Sequence, residues 1–254
     1  MTATDDRARA RRTGPRELSV AVGARYRLMW GVNRVAVRSL FAVRVSGLEH
    51  WPQPPFQIVA NHHNGFDPLL VMSVAPIEPR ITWFGPREAD FSRGFKNRVM
   101  AFFGGVIPYN PEKTTLASAV RAVRRVFDAD GVLGIFAEGR IGFDETGLLH
   151  FEDGAAAFAM TSGVPVVPCA IVGSTHLWLR RRIEVRFGPA IPTHATRGRA
   201  ARETLEQEIR AGVAALLPTT VPHLPRRRPM RFLTDLLNGP DDIARRKAMI
   251  PDGR

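Results

Sequence analysis

The sequence predicts an α/β fold, with a mixed, mostly parallel sheet covered by helices and an N-terminal amphipathic helical segment. Short apolar runs alternate along the chain with stretches of helical periodicity, which is the order that such sheets require. The runs at 56–60, 132–136 and 164–172 are almost entirely apolar, as expected of strands buried on both faces. A length of 254 residues suits one domain of this kind.

The predicted elements before residue 110 are short, because glycine and proline interrupt the chain often. The alternation of Val43-Arg44-Val45 predicts a strand, and Gly47 and the prolines at 52, 54 and 55 separate it from the strand at 56–60. A helix is expected from Asp67 to about Val74. The next expected elements are a strand at 81–84, a basic helix at 93–103 and a strand at 105–108.

The second half of the chain has stronger periodicity. Residues 114–129 are predicted to be helical because Leu116, Val120, Val123 and Phe127 share one face. The strand at 132–136 leads into a glycine-rich loop at 139–150, a small-residue helix at 154–161 and the strand at 164–172. Alternation at 183–187 predicts an edge strand, and an amphipathic helix is expected at 202–217.

Residues 16–40 are predicted to form an amphipathic helix. Its apolar face carries Leu18, Val22, Met29, Ala36 and Leu40, while Arg27, Arg34 and Arg38 lie opposite. This pattern is typical of a helix in a membrane interface, with its apolar side down and its arginines among lipid phosphates. The same pattern fits a helix packed on its own domain, and the two arrangements are compatible.

The charge balance is strongly basic, with 36 Lys and Arg against 24 Asp and Glu, a formal net charge of +12. Such a surface attracts polyanions, whether nucleic acid, anionic lipid headgroups or phosphorylated substrates.

The chain has one cysteine, Cys169, so it forms no intrachain disulfide. The sequence contains no run of 18 apolar residues, so no transmembrane helix is predicted. The polar N-terminus lacks the apolar core of a secretory signal.

The segment Asn61-His62-His63-Asn64-Gly65-Phe66-Asp67-Pro68 carries the clearest chemical signal. It directly follows the strand at 56–60, and Gly65 and Pro68 mark a turn. A histidine held beside an aspartate is a ready general base, because the carboxylate fixes the imidazole tautomer and stabilises its cation. The spacing leaves both histidines within reach of Asp67, and Asp67-Pro68 also fits a helix start with Asp67 as N-cap.

Four segments in order resemble the glycerolipid acyltransferase family typified by 1-acyl-sn-glycerol-3-phosphate acyltransferase. They are Asn61-His62-x4-Asp67-Pro68, Gly105-Val106-Ile107-Pro108-Tyr109-Asn110, Phe136-Ala137-Glu138-Gly139-Arg140 and Val164-Pro165-Val166-Val167-Pro168. The family carries an Asn-His-x4-Asp motif, a Gly-x-Ile motif, a Phe-Pro-Glu-Gly motif and a Val-Pro-Val-Val-Pro strand. The resemblance covers about residues 40–190.

The resemblance implies an O-acyltransferase in which His62, rather than His63, is the catalytic base and Asp67 orients it. It implies substrate binding by Asn61, Glu138, Gly139 and Arg140, with backbone N–H groups near Gly139 receiving the developing oxyanion. A structural turn carboxylate is the alternative for Glu138. The expected substrates are acyl-CoA or acyl-carrier protein as donor and a lysolipid, above all 1-acylglycerol-3-phosphate, as acceptor.

No cofactor and no metal site are predicted, since the seven histidines show no ligand spacing. The expected location is peripheral, at the cytoplasmic face of the cell membrane and on an anionic lipid surface. The predicted division is a disordered N-terminus (1–15), an amphipathic membrane-interface helix (16–40), an acyltransferase domain (41–217) and a basic C-terminal tail (218–254). The tail is expected to be extended, with one or two short helices.

The chain departs from the family pattern at the acceptor side. The Asp-Arg pair that ends the second motif is replaced by Asn110-Pro111, and the arginine of the third motif, Arg140, comes one position early. Either Arg140 together with Arg87, Arg93 or Lys113 rebuilds a phosphate clamp, or the acceptor differs from lysophosphatidate.

Two other classes of function compete with this interpretation. The basic charge favours a nucleic-acid-binding protein, but no RNP-like, zinc-finger or homeodomain motif is present, so no nucleic-acid partner is predicted. A lipid-binding protein that has lost activity is the second alternative, because the second and third motifs are altered.

Overall fold

The structure is a computed structural model that describes residues 22–85, 105–107, 116–152, 154–194, 198–221 and 223–250. A sheet of seven described strands lies at its centre, in the order β1-β7-β6-β2-β5-β3-β4. The strands are β1 (Ala42–Ser46), β2 (Phe56–Ala60), β3 (Ile81–Phe84), β4 (Val106–Ile107), β5 (Val132–Phe136), β6 (Val166–Val172) and β7 (Arg182–Phe187). All neighbours are parallel except β6 and β7. The predicted mixed, mostly parallel α/β fold is confirmed.

Helices cover both faces of the sheet. They are α1 (Ala24–Leu40), α2 (Asp67–Val74), α3 (Leu116–Asp128), α4 (Gly154–Ser162), α5 (Arg199–Ala214), α6 (Leu233–Leu236) and α7 (Pro240–Met249), with a 3₁₀ turn at Leu48–His50. The predicted helix at 93–103 lies outside the described residues. Within the described part of the chain, no helix combines the length and the apolarity needed to cross a bilayer.

The alternation of strand side chains divides the core into two clusters. Phe56, Ile58 and Ala60 of β2 face the side covered by α1 and α2. Val59 faces the other side, with residues of α3, α4 and α5. The central strand β2 is therefore buried at every position, which explains why its sequence is a continuous apolar run.

The register of β2 brings two polar turns to the same edge of the sheet. Ala60, at the end of β2, pairs with Phe136, at the end of β5, and both strands run in the same direction. On its other side β2 is parallel to β6, with Ala60 opposite Cys169. The residues that follow these three strands therefore emerge together at the carboxyl edge, where parallel sheets build their sites.

The prediction that residues 183–187 form an edge strand is wrong. β7 pairs with β1 on one side and with β6 on the other, and β1 forms the edge. The alternating burial of β7 shows that one of its two faces is less covered. Alternation along a strand reports how its faces are covered and says nothing about its neighbours within the sheet.

Helix α1 packs on its own domain through a face that overlaps the predicted apolar face, since Met29 and Leu40 are partly buried against the core. Tyr26, Asn33 and Val37 are its buried residues, and Ala36 of the predicted apolar face is exposed. The arginine face also contacts the domain, since Arg34 donates to the carbonyl of Ser73 at 3.0 Å. Arg27 pairs with Glu78 at 2.7 Å.

The exposed face of α1 carries three large apolar residues. Leu28, Val32 and Val35 are 64%, 60% and 69% exposed. Their spacing of four and three residues places them on one stripe of the helix. The amphipathic pattern thus includes an outward apolar stripe that the sequence prediction did not identify.

The C-terminal region is more closely packed than the extended tail that we predicted. It contains α6 and α7, and Leu233, Thr234, Asn238 and Arg246 are all buried. Arg246 donates to both carboxylate oxygens of Asp235 at 3.1 Å, which joins the two helices. Because proline and arginine dominate the sequence here, the few residues that make these contacts could not be predicted from it.

His176, in the loop after β6, is buried among charged groups. Burial lowers the pKa of His176 below its ordinary value, Arg246, Arg228 and Arg181 lower it further, and Glu145 opposes them. The folded state therefore favours the neutral imidazole, whereas the unfolded chain takes up a proton below about pH 6.5.

Acid should destabilise the protein partly through His176. Because the unfolded state binds more protons below about pH 6.5, the free energy of unfolding is expected to fall as pH drops from 7.5 to 5.5. His176→Gln is expected to reduce that slope in urea unfolding, while the exposed-residue control His194→Gln retains it. Equal slopes in all three proteins would contradict this.

Candidate active site

His62 and Asp67 lie in contact in the turn that leaves β2, which we call the His–Asp turn (residues 61–67). Nδ1 of His62 is 2.9 Å from Oδ2 of Asp67. The Asp67 side chain is fully buried, and that of His62 is 16% exposed. The pair therefore has a buried anchor and one ring that reaches the surface of the site.

Oδ2 of Asp67 also accepts two backbone hydrogen bonds. The N–H groups of His63 and Asn64 donate to it at 2.6 and 2.8 Å. The carboxylate thus turns back into the loop, and it does not cap α2; the N-cap position is occupied by Phe66. The alternative interpretation of Asp67 as an N-cap is wrong, because the loop residues preceding it compete successfully for its oxygen.

This environment indicates which nitrogen of His62 carries the proton. An ionised carboxylate only accepts hydrogen bonds, so the contact with Asp67 requires a proton on Nδ1 of the neutral ring. Nε2 is then the bare nitrogen, free to accept a proton. Such an arrangement is what a general base needs.

The geometry separates the two histidines. His63 is 1% exposed, and its ring nitrogens lie 3.3 and 3.4 Å from Nδ2 of Asn61. Its side chain therefore points into the protein, while its backbone N–H serves Asp67. His62 is the histidine whose ring contacts Asp67 and reaches solvent.

Two aromatic rings support His62 from β5 and β3. The imidazole stacks on Phe136 with ring centroids 4.1 Å apart and an angle of 17°. Phe136 in turn stacks on Trp83 at 4.8 Å and 6°. Gly134 leaves room for Trp83, since a Cβ there would lie 2.6 Å from the indole. Sequence reasoning missed this support, although the pairing of β2 with β5 places Phe136 beside Ala60.

Asn61 joins the end of β2 to β6. Its Nδ2 donates to the carbonyl of Ile171 at 3.0 Å, and its Oδ1 accepts from the Ile171 N–H at 2.7 Å. The side chain is fully buried. These contacts position the start of the His–Asp turn, and the substrate-binding role assigned to Asn61 stays a prediction.

Glu138 links the His–Asp turn to the loop at 139–150. Oε1 accepts from the His62 N–H and Oε2 from the Leu149 N–H, both at 3.1 Å. The side chain is 3% exposed, and burial raises the pKa of Glu138 despite the opposing effect of these hydrogen bonds. Its described contacts match the alternative of a structural carboxylate, and its substrate-binding role stays a prediction.

Gly139 allows the tight turn after β5. Its φ of +62° lies in the left-handed region, and a Cβ would approach Cγ of Glu152 to 2.9 Å. Its N–H donates to the carbonyl of Phe136 at 3.2 Å. Gly139 thus uses its own N–H within the turn, and an oxyanion would need a neighbouring donor.

Arg140 is exposed at this turn. It follows Gly139, close in sequence to the residues that hold His62. The proposed partners of a phosphate clamp, Arg87, Arg93 and Lys113, lie outside the described residues, as do Asn110 and Pro111. Arg140 is therefore the one member of the predicted clamp that the structure describes.

A small apolar pocket shares Trp83 with the aromatic stack. It is lined by Met29 of α1, Leu69 and Met72 of α2, Ile81 and Trp83 of β3, and Val106 of β4. Trp83 belongs both to this pocket and to the stack under His62, so apolar surface continues from the pocket toward the His–Asp turn.

The C-terminal region also reaches the His–Asp turn. Nδ2 of Asn64 donates to the carbonyl of Thr234 at 3.0 Å, and the N–H of Gly65 donates to Oδ1 of Asn238 at 2.7 Å. Sequence reasoning missed these residues, and no motif in the sequence marks them.

Comparison with known proteins gives one family and one fold. A sequence model described as Acyltransferase matches residues 42–172, more than half of the chain. No curated protein matches the sequence. The crystal structure of the 1-acyl-sn-glycerophosphate (LPA) acyltransferase PlsC from Thermotoga maritima is similar in fold, with a TM-score of 0.59 and 18% identity over 76% of this chain and 78% of that one.

The matched residues include β2, the His–Asp turn, β5 and the Phe136-Ala137-Glu138-Gly139 turn, and they end at the last residue of β6. The resemblance stated from the sequence motifs is confirmed, because the family model covers the segments that carry it. The chain belongs to the acyltransferase family.

Proposed function

We propose that this protein transfers a fatty acyl group from a thioester, acyl-CoA or acyl-carrier protein, to a hydroxyl of a lysolipid. The observation that carries the proposal is the contact between Nδ1 of His62 and buried Oδ2 of Asp67 at 2.9 Å. The leading acceptor is 1-acylglycerol-3-phosphate, and other lysolipids or glycolipids are the alternatives.

The proposed reaction needs no covalent intermediate on the protein. Nε2 of His62 takes the proton from the acceptor hydroxyl while the hydroxyl oxygen attacks the carbonyl carbon of the thioester. Asp67 orients the imidazole and stabilises its cation without taking the proton. The tetrahedral intermediate then expels the thiolate as the C–S bond breaks, and the imidazolium returns its proton to the sulfur.

The two substrates are assigned to different sides of His62. The apolar side chains that line the small pocket beside Trp83 are the described surface along which we place the fatty acyl chain, since they suit hydrocarbon. Arg140, exposed on the turn after β5, is the described cation we assign to the acceptor phosphate. An arginine suits that role because its planar fork matches phosphate oxygens.

We further propose peripheral attachment to an anionic membrane through α1. The stripe of Leu28, Val32 and Val35 is available for the apolar boundary of the lipid. The net charge of +12 favours an anionic lipid surface. In this arrangement the domain side of α1, with Tyr26 and Val37, stays packed on the protein.

His62→Ala is expected to abolish turnover and leave the fold intact. Loss of a positioned base typically removes about 10²–10⁴-fold of rate, and His62 contributes little to the core. The measurement is thiol release from acyl-CoA with a panel of lysolipids, with circular dichroism as the test of folding.

The matched control is His194→Ala, which removes an exposed histidine after β7 and should leave turnover unchanged. Wild-type turnover in His62→Ala would refute the assignment of the base. Release of thiol with a different lysolipid, but not with 1-acylglycerol-3-phosphate, would redirect the acceptor while preserving the mechanism.

Substituting Val32→Asp is expected to weaken binding to phosphatidylglycerol-containing vesicles. A charge in the centre of the apolar stripe opposes insertion and repels an anionic surface. Co-sedimentation measures the effect, and Val221→Asp is the control because Val221 is similarly exposed, at 69% against 60% for Val32, and lies outside α1. Equal binding by both variants and the wild type would exclude α1 as the attachment surface.

A further inference from the structure

The His–Asp turn is held from outside by a part of the chain that lies beyond the family match. The match ends at residue 172, whereas the contacting residues lie between 233 and 246. We call this segment, with α6 and the first two turns of α7, the C-terminal clamp (residues 233–246).

The clamp contacts the middle of the His–Asp turn at two adjacent residues. The N–H of Gly65 donates to Oδ1 of Asn238 at 2.7 Å, and Nδ2 of Asn64 donates to the carbonyl of Thr234 at 3.0 Å. Asn238 also donates from Nδ2 to the same carbonyl of Thr234 at 3.0 Å. Asn238 therefore bridges the turn and the clamp with both ends of its amide.

The approach is close enough to require glycine at position 65. A Cβ on Gly65 would lie 2.2 Å from the carbonyl oxygen of Leu237. No side chain fits at such a separation without movement of backbone. The absence of a side chain at Gly65 therefore allows the His–Asp turn to contact the C-terminal clamp.

The clamp is itself anchored at the carboxyl edge of the sheet. Oγ1 of Thr234 accepts from the N–H of Leu177 at 2.9 Å and donates to its carbonyl at 3.0 Å. Buried Arg246 binds both oxygens of Asp235. The loop after β6, α6 and α7 therefore form one hydrogen-bonded support.

The position of this support matters for His62. Asn64 contributes one of the three hydrogen bonds to Oδ2 of Asp67, and its side chain is held by Thr234. Gly65 is the next residue and is held by Asn238. A shift of this part of the turn would move the donors that fix Asp67, and with them the imidazole.

From these contacts we infer that Asn238 and Thr234 are positioning residues of the active site, acting on His62 through Asn64, Gly65 and Asp67. The inference rests on the proposed function for its kinetic consequence. Its structural content, that the clamp orders the His–Asp turn, is measurable without turnover.

Asn238→Ala tests the inference by kinetics and by hydrogen exchange of the full-length protein. Misplacing a catalytic group by about 1 Å typically costs about 10²-fold in rate, so kcat is expected to fall up to that extent with little change in KM. Deuterium uptake by the peptide that contains residues 61–67 is expected to rise.

The matched control is Asn33→Ala. Asn33 is a similarly buried asparagine, 8% exposed against 7% for Asn238, and it donates one hydrogen bond to the carbonyl of Leu69 at 2.9 Å. It should lower the melting temperature comparably while leaving exchange at 61–67 close to wild type. Thr234→Val, nearly isosteric, is the second variant if Asn238→Ala does not fold, and the same direction of change is expected.

Unchanged exchange at 61–67 in Asn238→Ala and Thr234→Val would overturn the inference. So would equal increases of exchange at 61–67 in Asn238→Ala and Asn33→Ala, since both would then report general destabilisation. Increased exchange in the clamp variants of a protein that turns over no lysolipid would support the clamp and reject the proposed acyltransferase reaction.

Discussion

One buried oxygen, Oδ2 of Asp67, organises the turn at the end of β2. It accepts hydrogen bonds from the His62 ring and from the backbone N–H groups of His63 and Asn64. A carboxylate buried without donors would be costly, and these three bonds offset that cost. The same contacts set the tautomer of His62 and point its second nitrogen away from Asp67, so the chemistry and the local fold depend on the same atom.

The remaining residues of the site hold this arrangement from several directions. Asn61 fixes the start of the turn to β6, Glu138 joins it to the loop after β5, and Phe136 supports the imidazole ring. Several residues that resemblance assigns to substrate binding thus have contacts inside the protein. Among the residues assigned in this way, Gly139 and Arg140 are exposed.

Much of the fold could be predicted from the sequence because parallel strands that are buried on both faces are continuous apolar runs. The runs at 56–60, 81–84 and 132–136 are strands with the predicted bounds. The meeting of His62 and Asp67 follows from their spacing in a tight turn. The choice between His62 and His63 did not follow, because it depends on which ring the turn directs inward.

The features that escaped prediction depend on contacts between distant residues. Asn64 and Thr234 are 170 residues apart, and no periodicity links them. The place of β7 inside the sheet depends on β1, whose three alternating residues gave no indication of a partner. The exposed stripe of α1 was not predicted, because periodicity identifies an amphipathic helix more reliably than it reveals a second apolar stripe on the same helix.

The most direct test of this account is the protonation of the His62 ring, read from ¹⁵N chemical shifts of the two imidazole nitrogens near neutral pH. The account predicts that the neutral ring carries its proton on Nδ1, with Nε2 bare, and that Asp67→Asn disturbs this preference. A neutral His62 protonated on Nε2 in the wild-type protein would contradict the account, because Nε2 could then not accept a proton from the acceptor hydroxyl.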